Sequence, residues 1–439
     1  MNRERLMLEW RHRAFRLLEI LMLPISLSMA LLLRIGLRAL KPWVHVRFVR
    51  WASQSLGIWA ILTEVYLCQR DAGMHPKRCL DLFYRYDRAA FQLKRSVSRA
   101  SAICNKPLDK MFRRHLRLRQ GAQFLDYLNR LLPRGSEEFI LNLPDPHDRY
   151  GLLERFPTHL VFTEEEERQG QSVLRKLGVP PGALFACFHA RDSVYHARWR
   201  PGLELFYPVN REWPNTRNAS IRNYLLAAEK LTELGYYAIR MGKYVEEPIR
   251  SDNPRIIDYA WSHQSDFMDV YLSARCAFFI GQISGMTSLP MVFRRPVAFV
   301  NAYEMTEYRY CSHPDSVFIP KKFYSARRGR LLSFREMVAL GFALYEPKFA
   351  DLKARFDNLG MEIQENTPEE ILEVVIEMHR RLQGTWMASE EDKELQCRFD
   401  SFLRSCPKTI GLEKSRPLRI GAHFLRTHPE LVETSLILT

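Results

Sequence analysis

Leu184-Phe185-Ala186-Cys187-Phe188-His189-Ala190-Arg191-Asp192-Ser193 is the stretch on which the fold turns, together with Cys276-Ala277-Phe278-Phe279-Ile280-Gly281 and the Ser284-Gly285 that follows. Each is a short apolar run met at once by polar residues or glycine. Between them, Tyr236-Tyr237-Ala238-Ile239-Arg240-Met241-Gly242 repeats the pattern. Buried parallel strands read this way when their C-terminal ends face a ligand crevice. Strands are expected at 184–190, 236–241, 276–280 and 297–300. Helices are expected to start near Ser220, Ser265 and Ser284. This alternation predicts a parallel sheet.

Working outward, Val44 to Trp51 reads as a strand, Ser53 to Gly57 as a turn and Ile58 to Gln69 as a helix. Leu80 to Tyr84 reads as a second strand and Arg88 to Ile103 as a helix. The basic run Lys106 to Arg119 follows, a solvated helix face, the lining of a cleft for an anionic acceptor, or a surface facing a membrane. Pro144-Asp145-Pro146-His147-Asp148 is turn-rich and marks a domain boundary. Thr163 is an N-cap before Glu164 to Glu167. Gly178 and Pro180-Pro181-Gly182 end that helix. Ser333 with Glu336, and Thr367 with Glu370, form capping boxes. Ser389 to Cys406 reads as another helix.

The chain has 439 residues, 46% hydrophobic and 26% charged, enough for two or three globular domains. A net charge of +15 points to an anionic partner. No zinc-finger, RNP or basic-zipper pattern is present, so nucleic acid is not the expected partner. The eight cysteines form no CxxC pair and no zinc spacing, which fits a reducing cytoplasm. Near the N-terminus, Arg3, Arg5, Arg11, Arg13 and Arg16 precede an apolar run from Leu17 to Leu33, and Arg34, Arg38 and Lys41 follow. The run is interrupted by Glu19 and Pro24 and lacks a signal-peptide cleavage site. A helix lying on an anionic leaflet is expected, peripheral to the inner face of the cytoplasmic membrane. The plainer alternative is a buried helix with basic flanks.

The chemistry-bearing residues gather at the strand ends. Ser284 and Gly285 open a helix whose free N–H groups suit phosphate, although Ser284 also reads as a plain N-cap. Arg191 and Arg240 end two strands of one sheet, and a guanidinium grips phosphate in a bidentate fork. One of them could instead pair with Asp192 or Asp258. His189 shares a strand face with Arg191 and is a candidate base or phosphate ligand, or a structural histidine. Asp192 is a candidate base or the group that orients Arg191. Asp258 could hold a ribose hydroxyl or cap a turn. There is no GxxxxGK[ST] loop, no strand-linked GxGxxG, no GxSxG and no DxD after a strand. P-loop, dinucleotide, hydrolase and metal-held nucleotide chemistry are therefore disfavoured.

The set His189-Ala190-Arg191-Asp192-Ser193, Arg217-Asn218, Asn223-Tyr224, Ile239-Arg240-Met241-Gly242, Ile257-Asp258-Tyr259-Ala260 and Phe279-Ile280-Gly281 with Ser284-Gly285 resembles a family of bacterial GT-B glycosyltransferases of surface-polysaccharide type. The HxR element is distantly similar to that of fucosyltransferases. The resemblance spans roughly Thr163 to Asn301. It implies an α/β fold of two Rossmann-like domains, to which the residue patterns outside it add a basic N-terminal helix and a mostly helical C-terminal region. The implied divisions are a membrane-proximal helix at 1–42, an acceptor domain at 43–158, a nucleotide-sugar domain at 159–345 and a helical region at 346–439. It further implies a nucleotide-sugar donor bound through Arg191, Arg240, Gly242, Asp258, Ser284 and Gly285, and a glycan or glycolipid acceptor. No metal and no separate cofactor are implied. Several GT-B enzymes place their base just after the first glycine-bearing turn, but Ile58 follows Gly57 here. His189, Asp192 and Glu64 remain as candidates for the base. The expected activity is an inverting, metal-independent sugar transfer. The alternatives are an epimerase or hydrolase of nucleotide sugars on the same fold, or a non-catalytic sugar-nucleotide-binding scaffold.

Overall fold

The computed structural model describes residues 22–85, 103–144, 148, 150–199, 217–303, 313–340, 356–405 and 419–433. The fold is mixed α/β with parallel sheets. Its two compact units exchange segments along the chain. The first is Met1–Gln54, Gln69–Ala102 and Arg113–Leu143; the second is Ser55–Cys68, Ile103–Phe112 and Pro144–Thr439. Contiguous domains were the expectation. Residues 55–68 and 103–112 join the second unit because Trp59 packs on Phe112, and Asn105 donates to the Asp266 carbonyl at 2.7 Å.

In the first unit, β1 (His45–Trp51), β2 (Cys79–Arg85) and β3 (Ile140–Leu141) form a parallel sheet in the order β2-β1-β3. Helix α1 spans Met22–Leu40. Later in the chain come α2 (Leu56–Asp71), most of which belongs to the second unit, and, in the first unit, α3 (Ala122–Leu131). Leu37 of α1, Val46 and Phe48 of β1, Tyr84, Ala122 and Phe139 make one apolar cluster. Buried Arg34 donates to the carbonyls of Asn129 at 2.8 Å, Leu132 at 2.9 Å and Arg134 at 3.0 Å. These lie at and beyond the C-terminal end of α3, where a helix leaves its carbonyls without partners and carries partial negative charge. A segment set apart at 1–42 was expected; of it, Ala30, Arg34 and Leu37 are buried in this unit, while Leu31, Leu32 and Ile35 stay exposed.

The second unit carries a seven-stranded, wholly parallel sheet. Its strands are β4 (Phe185–His189), β5 (Tyr237–Arg240), β6 (Ile256–Ile257), β7 (Phe279–Gly281), β8 (Val297–Ala302), β9 (Val317–Pro320) and β13 (Arg419–Ile420). The spatial order is β13-β9-β8-β7-β4-β5-β6. Cys187, Ile239, Phe279, Ile280 and Phe299 are buried, as continuous apolar runs demand when both faces of a sheet are covered. The remaining strands, β10 (Lys322–Ser325), β11 (Arg330–Leu331) and β12 (Met361–Gln364), form a small antiparallel sheet.

Six longer helices complete this unit. They are α4 (Glu164–Lys176), α5 (Leu225–Glu233), α6 (Asp266–Arg275), α7 (Gly285–Val292), α8 (Pro368–Leu382) and α9 (Glu390–Ser405). The expected capping boxes are present at Ser333 and Thr367, the expected N-cap Thr163 is also a capping box, and a further one occurs at Ser284. The region 346–439 is not a separate helical body, since β13 extends the large sheet beside β9. The expected helix at Arg88–Ile103 and the loop Ser193–Arg217 fall largely outside the described residues.

Candidate anion site at the switch point of the large sheet

The strand order fixes where a ligand can sit. From β4 the chain winds one way to β5 and β6, then returns to place β7 on the other side of β4 and winds on to β8 and β9. Between β4 and β7 the connections diverge, and it is at the carboxyl ends of such a junction that open α/β sheets bind ligands. His189 pairs in register with Gly281 across that junction. Beyond it, the Arg191 N–H donates to Gln282 Oε1 at 3.0 Å, tying the two loops together.

Ser284 ends the loop after β7 and caps α7. Its hydroxyl accepts from the Thr287 N–H, while its own N–H donates to Thr287 Oγ1 at 2.8 Å. The first N–H groups of α7 therefore point out of the helix with Ser284 and Gly285 partly exposed. Against this end lies the N-terminus of α2. A Cβ on Gly57 would come 2.9 Å from the Gly285 Cα and 2.8 Å from Ser288 Oγ. A Cβ on Gly285 would come 3.2 Å from the Gly57 nitrogen. Gly57 has no room for a Cβ in this approach, and Gly285 has little. Each helix N-terminus carries roughly half a positive charge, so two such ends facing each other attract an anion more strongly than either alone.

Two further groups border the site that strand-end reading passed over. The Gln282 side chain is buried, and its Nε2 has no hydrogen-bond partner among the described residues. A buried amide donor without a partner is costly, and a bound acceptor would satisfy it. Lys321 follows β9, donates to the Asn218 carbonyl at 2.6 Å and lies close enough to feel Arg191. Burial, with Arg191 assisting, pushes its ammonium down to about 8. Lys321 was missed because the short run Val317–Pro320 ends in proline and does not look like a strand.

The other expected residues are placed as follows. Arg240 is only 2% exposed, unlike half-buried Arg191. It donates to the Glu247 carbonyl at 2.6 Å and pairs with Asp258 at 3.2 Å. Asp258 also accepts from the Ile249 N–H at 2.8 Å. The two residues expected beside the nucleotide thus hold each other and the 247–249 loop. Asp192 is likewise engaged: its carboxylate accepts from the N–H groups of Val194 and Glu246, both at 2.9 Å. It pins the loop after β4 to the loop after β5 and is a positioning residue. Gly242 takes φ +153°, and a Cβ there would meet Val245 Cγ1 at 2.8 Å, so glycine is required for that turn.

His189 Nδ1 lies 3.0 Å from the Met241 carbonyl, which makes Nδ1 the protonated nitrogen and Nε2 the acceptor. Although the residue keeps some solvent contact, the surrounding protein desolvates the ring, and burial pushes it down to about 4. The imidazole is neutral at physiological pH. Glu64, the third candidate base, is 0% exposed. Its Oε1 accepts from Arg294 Nη2 at 2.7 Å and from the His159 N–H at 3.1 Å. With Cys68 and His159 it forms a group whose potential ligand atoms all lie within 4.8 Å of one another. Arg294 Nη2 is also 3.4 Å from Cys68 Sγ, so a fixed cation already stands against the carboxylate and the thiol. That arrangement suits an internal ion pair and opposes a metal ion. Glu64 is a structural bolt.

A cavity of about 710 Å³ lies away from the switch point, lined by Arg381, Trp386, Asp392, Asp400, Arg404 and Arg419 among others.

The strand order defines a doubly wound α/β unit, with two helix N-termini meeting near its switch point. No family model matches the sequence, and no curated protein matches it. Among solved structures, similarity is found to the ADP-heptose LPS heptosyltransferase II of E. coli, with 11% identity and a TM-score of 0.38, over 77% of this chain and 100% of that one. A glycosyl transferase family 9 structure from Veillonella parvula DSM 2008 gives 12% and 0.34, over 72% and 97%. The iron-containing dodecameric glycosyltransferase TibC from enterotoxigenic E. coli H10407 gives 13% and 0.34, over 78% and 81%. Likenesses this slight do not assign the chain to a family.

Proposed function

We propose that this protein is a glycosyltransferase that takes a nucleotide-sugar donor by its diphosphate at the β4/β7 switch point. The observation that carries the reading is the meeting of two helix N-termini at Gly57 and Gly285, beside Ser284 and the Arg191 strand end. A diphosphate carries the charge that two positive helix ends attract, and the N–H groups supply its hydrogen bonds. The motif set around His189, Arg191 and Ser284 supports a sugar as the group attached to it.

In the reaction, an acceptor hydroxyl attacks the anomeric carbon and the bond from that carbon to the diphosphate oxygen breaks. The negative charge that develops on the leaving group faces the α2 and α7 ends, Arg191 and Lys321. These groups are in place before reaction, so no reorganisation opposes the charge as it forms. The acceptor proton goes to His189 Nε2, for which no partner is seen among the described residues. Asp192 does not serve as base because both its oxygens already accept backbone N–H groups. A single displacement of this kind inverts the anomeric centre. The cations present carry the electrostatic role that a divalent metal has elsewhere, so the transfer is proposed to be metal-independent. The proposed acceptor is a glycan or glycolipid reached from the cytoplasm.

Release of nucleoside diphosphate from a panel of nucleotide sugars, with and without glycan acceptors and in the presence of EDTA, tests this. Acceptor-dependent release that survives the chelator is expected. Release without acceptor would indicate a hydrolase or epimerase, and binding without turnover a scaffold.

A further inference from the structure

Helix α1 is 19 residues long with a mean hydropathy of 1.6, long and apolar enough to cross a bilayer, and it begins near the N-terminus. How it is held argues against crossing. Ala30, Arg34 and Leu37 are buried, and Ser26 and Leu33 are half-buried, at a spacing that marks one helical face. That face is fastened to the first unit by the three Arg34 hydrogen bonds and by Leu37 in the apolar cluster. The opposite face is bare: Leu32 is 70% exposed and Ile35 58%, with Leu31, Ile25, Met29 and Leu40 around them and Trp43 just beyond. Soluble monomers seldom leave so continuous an apolar strip uncovered.

We infer that α1 lies flat in the headgroup layer of an anionic bilayer, apolar strip down, with the first unit on its back. Charge supplies the choice of occupant. Arg38 and Lys41, which share an ion pair with Glu138 but stay exposed to solvent, stand at the end of the strip with more positive charge than Glu138 offsets; Arg3, Arg5, Arg11, Arg13 and Arg16 precede it in sequence, and the whole chain carries +15. An apolar strip flanked by cations matches acyl chains beneath anionic headgroups. A helix bolted along one side cannot also surround itself with lipid, so it lies in the plane and does not span. The inference is independent of the sugar-transfer reading.

Flotation of the full chain with vesicles tests it. Binding is expected to vesicles of equal phosphatidylcholine and phosphatidylglycerol, and to be much weaker with phosphatidylcholine alone or in high salt. Alkaline carbonate should strip the bound protein. Leu32→Glu with Ile35→Glu should abolish flotation and leave the melting curve unchanged, since neither side chain enters the core. Arg38→Gln with Lys41→Gln should weaken it by about fivefold per charge, the factor for roughly 1 kcal/mol per basic residue. Resistance to carbonate would mean a spanning helix and overturn the inference. So would a protein that ignores anionic vesicles, or one whose strip is covered by a second copy, seen as a dimer that the Leu32→Glu, Ile35→Glu variant dissociates.

Discussion

Gly57 stands so close to Gly285 that it leaves no room for a side chain: a Cβ on Gly57 would lie 2.9 Å from the Gly285 Cα. The contact brings the N-termini of α2 and α7 together, and each glycine begins or nearly begins its helix. Gly57→Ala is expected to destabilise by about 1–3 kcal/mol, the range for an overfilled packed site. It should also weaken nucleoside diphosphate binding, because the two helix ends must part. A melting curve and titration calorimetry on the same variant read both effects. A variant with wild-type stability and affinity would show that the close approach does not matter.

Arg191 and Arg240 were expected to act alike, and the structure separates them. Arg191→Ala should cost about 1.5–3 kcal/mol of diphosphate affinity, the range for a hydrogen bond to a charged group. Its effect on melting should be small. Arg240→Met should do the reverse, leaving Asp258 without its cation and lowering stability by about 3–5 kcal/mol. Calorimetry beside chemical denaturation checks the pair, and swapped outcomes would place the anion on Arg240.

Glu64→Gln removes the charge that Arg294 faces inside the protein. A loss of stability of about 3–5 kcal/mol is expected, as when one partner of a buried pair is removed. Where the variant still folds, the pH dependence of turnover should keep its wild-type shape. A vanished ionisation in the pH–rate profile would return Glu64 to the list of bases.

Lys321 supplies a pH signature. Its ammonium is held at about 8, below the usual 10.5, because burial disfavours the charged form. The folded state therefore binds fewer protons than the unfolded state between those values, so this group's contribution to stability rises with pH across that window. A bound diphosphate favours the charged ammonium. Binding near pH 8 to 9 should thus take up protons, and affinity should fall as pH rises. Calorimetry in buffers of different ionisation enthalpy measures the uptake, and Lys321→Met should remove it. Proton-neutral binding in the wild type would detach Lys321 from the site.

His189 gives the opposite limb. Its folded value of about 4 lies below the ordinary 6.5, so as pH falls from 6.5 towards 4 the unfolded chain gains a proton that the folded chain refuses. Stability attributable to this group is lost across that window and then levels off. His189→Gln should flatten that part of the stability–pH curve. An unchanged slope would mean the ring is not desolvated.

Local patterns carried much of this fold by themselves. Apolar runs ending in polar residues marked β4, β5, β7 and β8, because a strand covered on both faces must be continuously apolar. Thr163, Ser265, Ser284, Ser333 and Thr367 announced helix starts, because a capping side chain bonds a backbone N–H only three positions away. What remained hidden depends on residues far apart in the chain. An arginine at a strand end looks the same whether it is half-buried or held by Asp258, and only the sheet's packing turned Arg240 inward and left Arg191 half-buried. Glu64 read as a possible base until Arg294, distant in sequence, was found against it. The meeting of Gly57 with Gly285, and the fastening of α1 through Arg34, are tertiary decisions too. Side-chain identity states what a residue can bond, but burial and approach distance, which decide what it does bond, are properties of the assembled core.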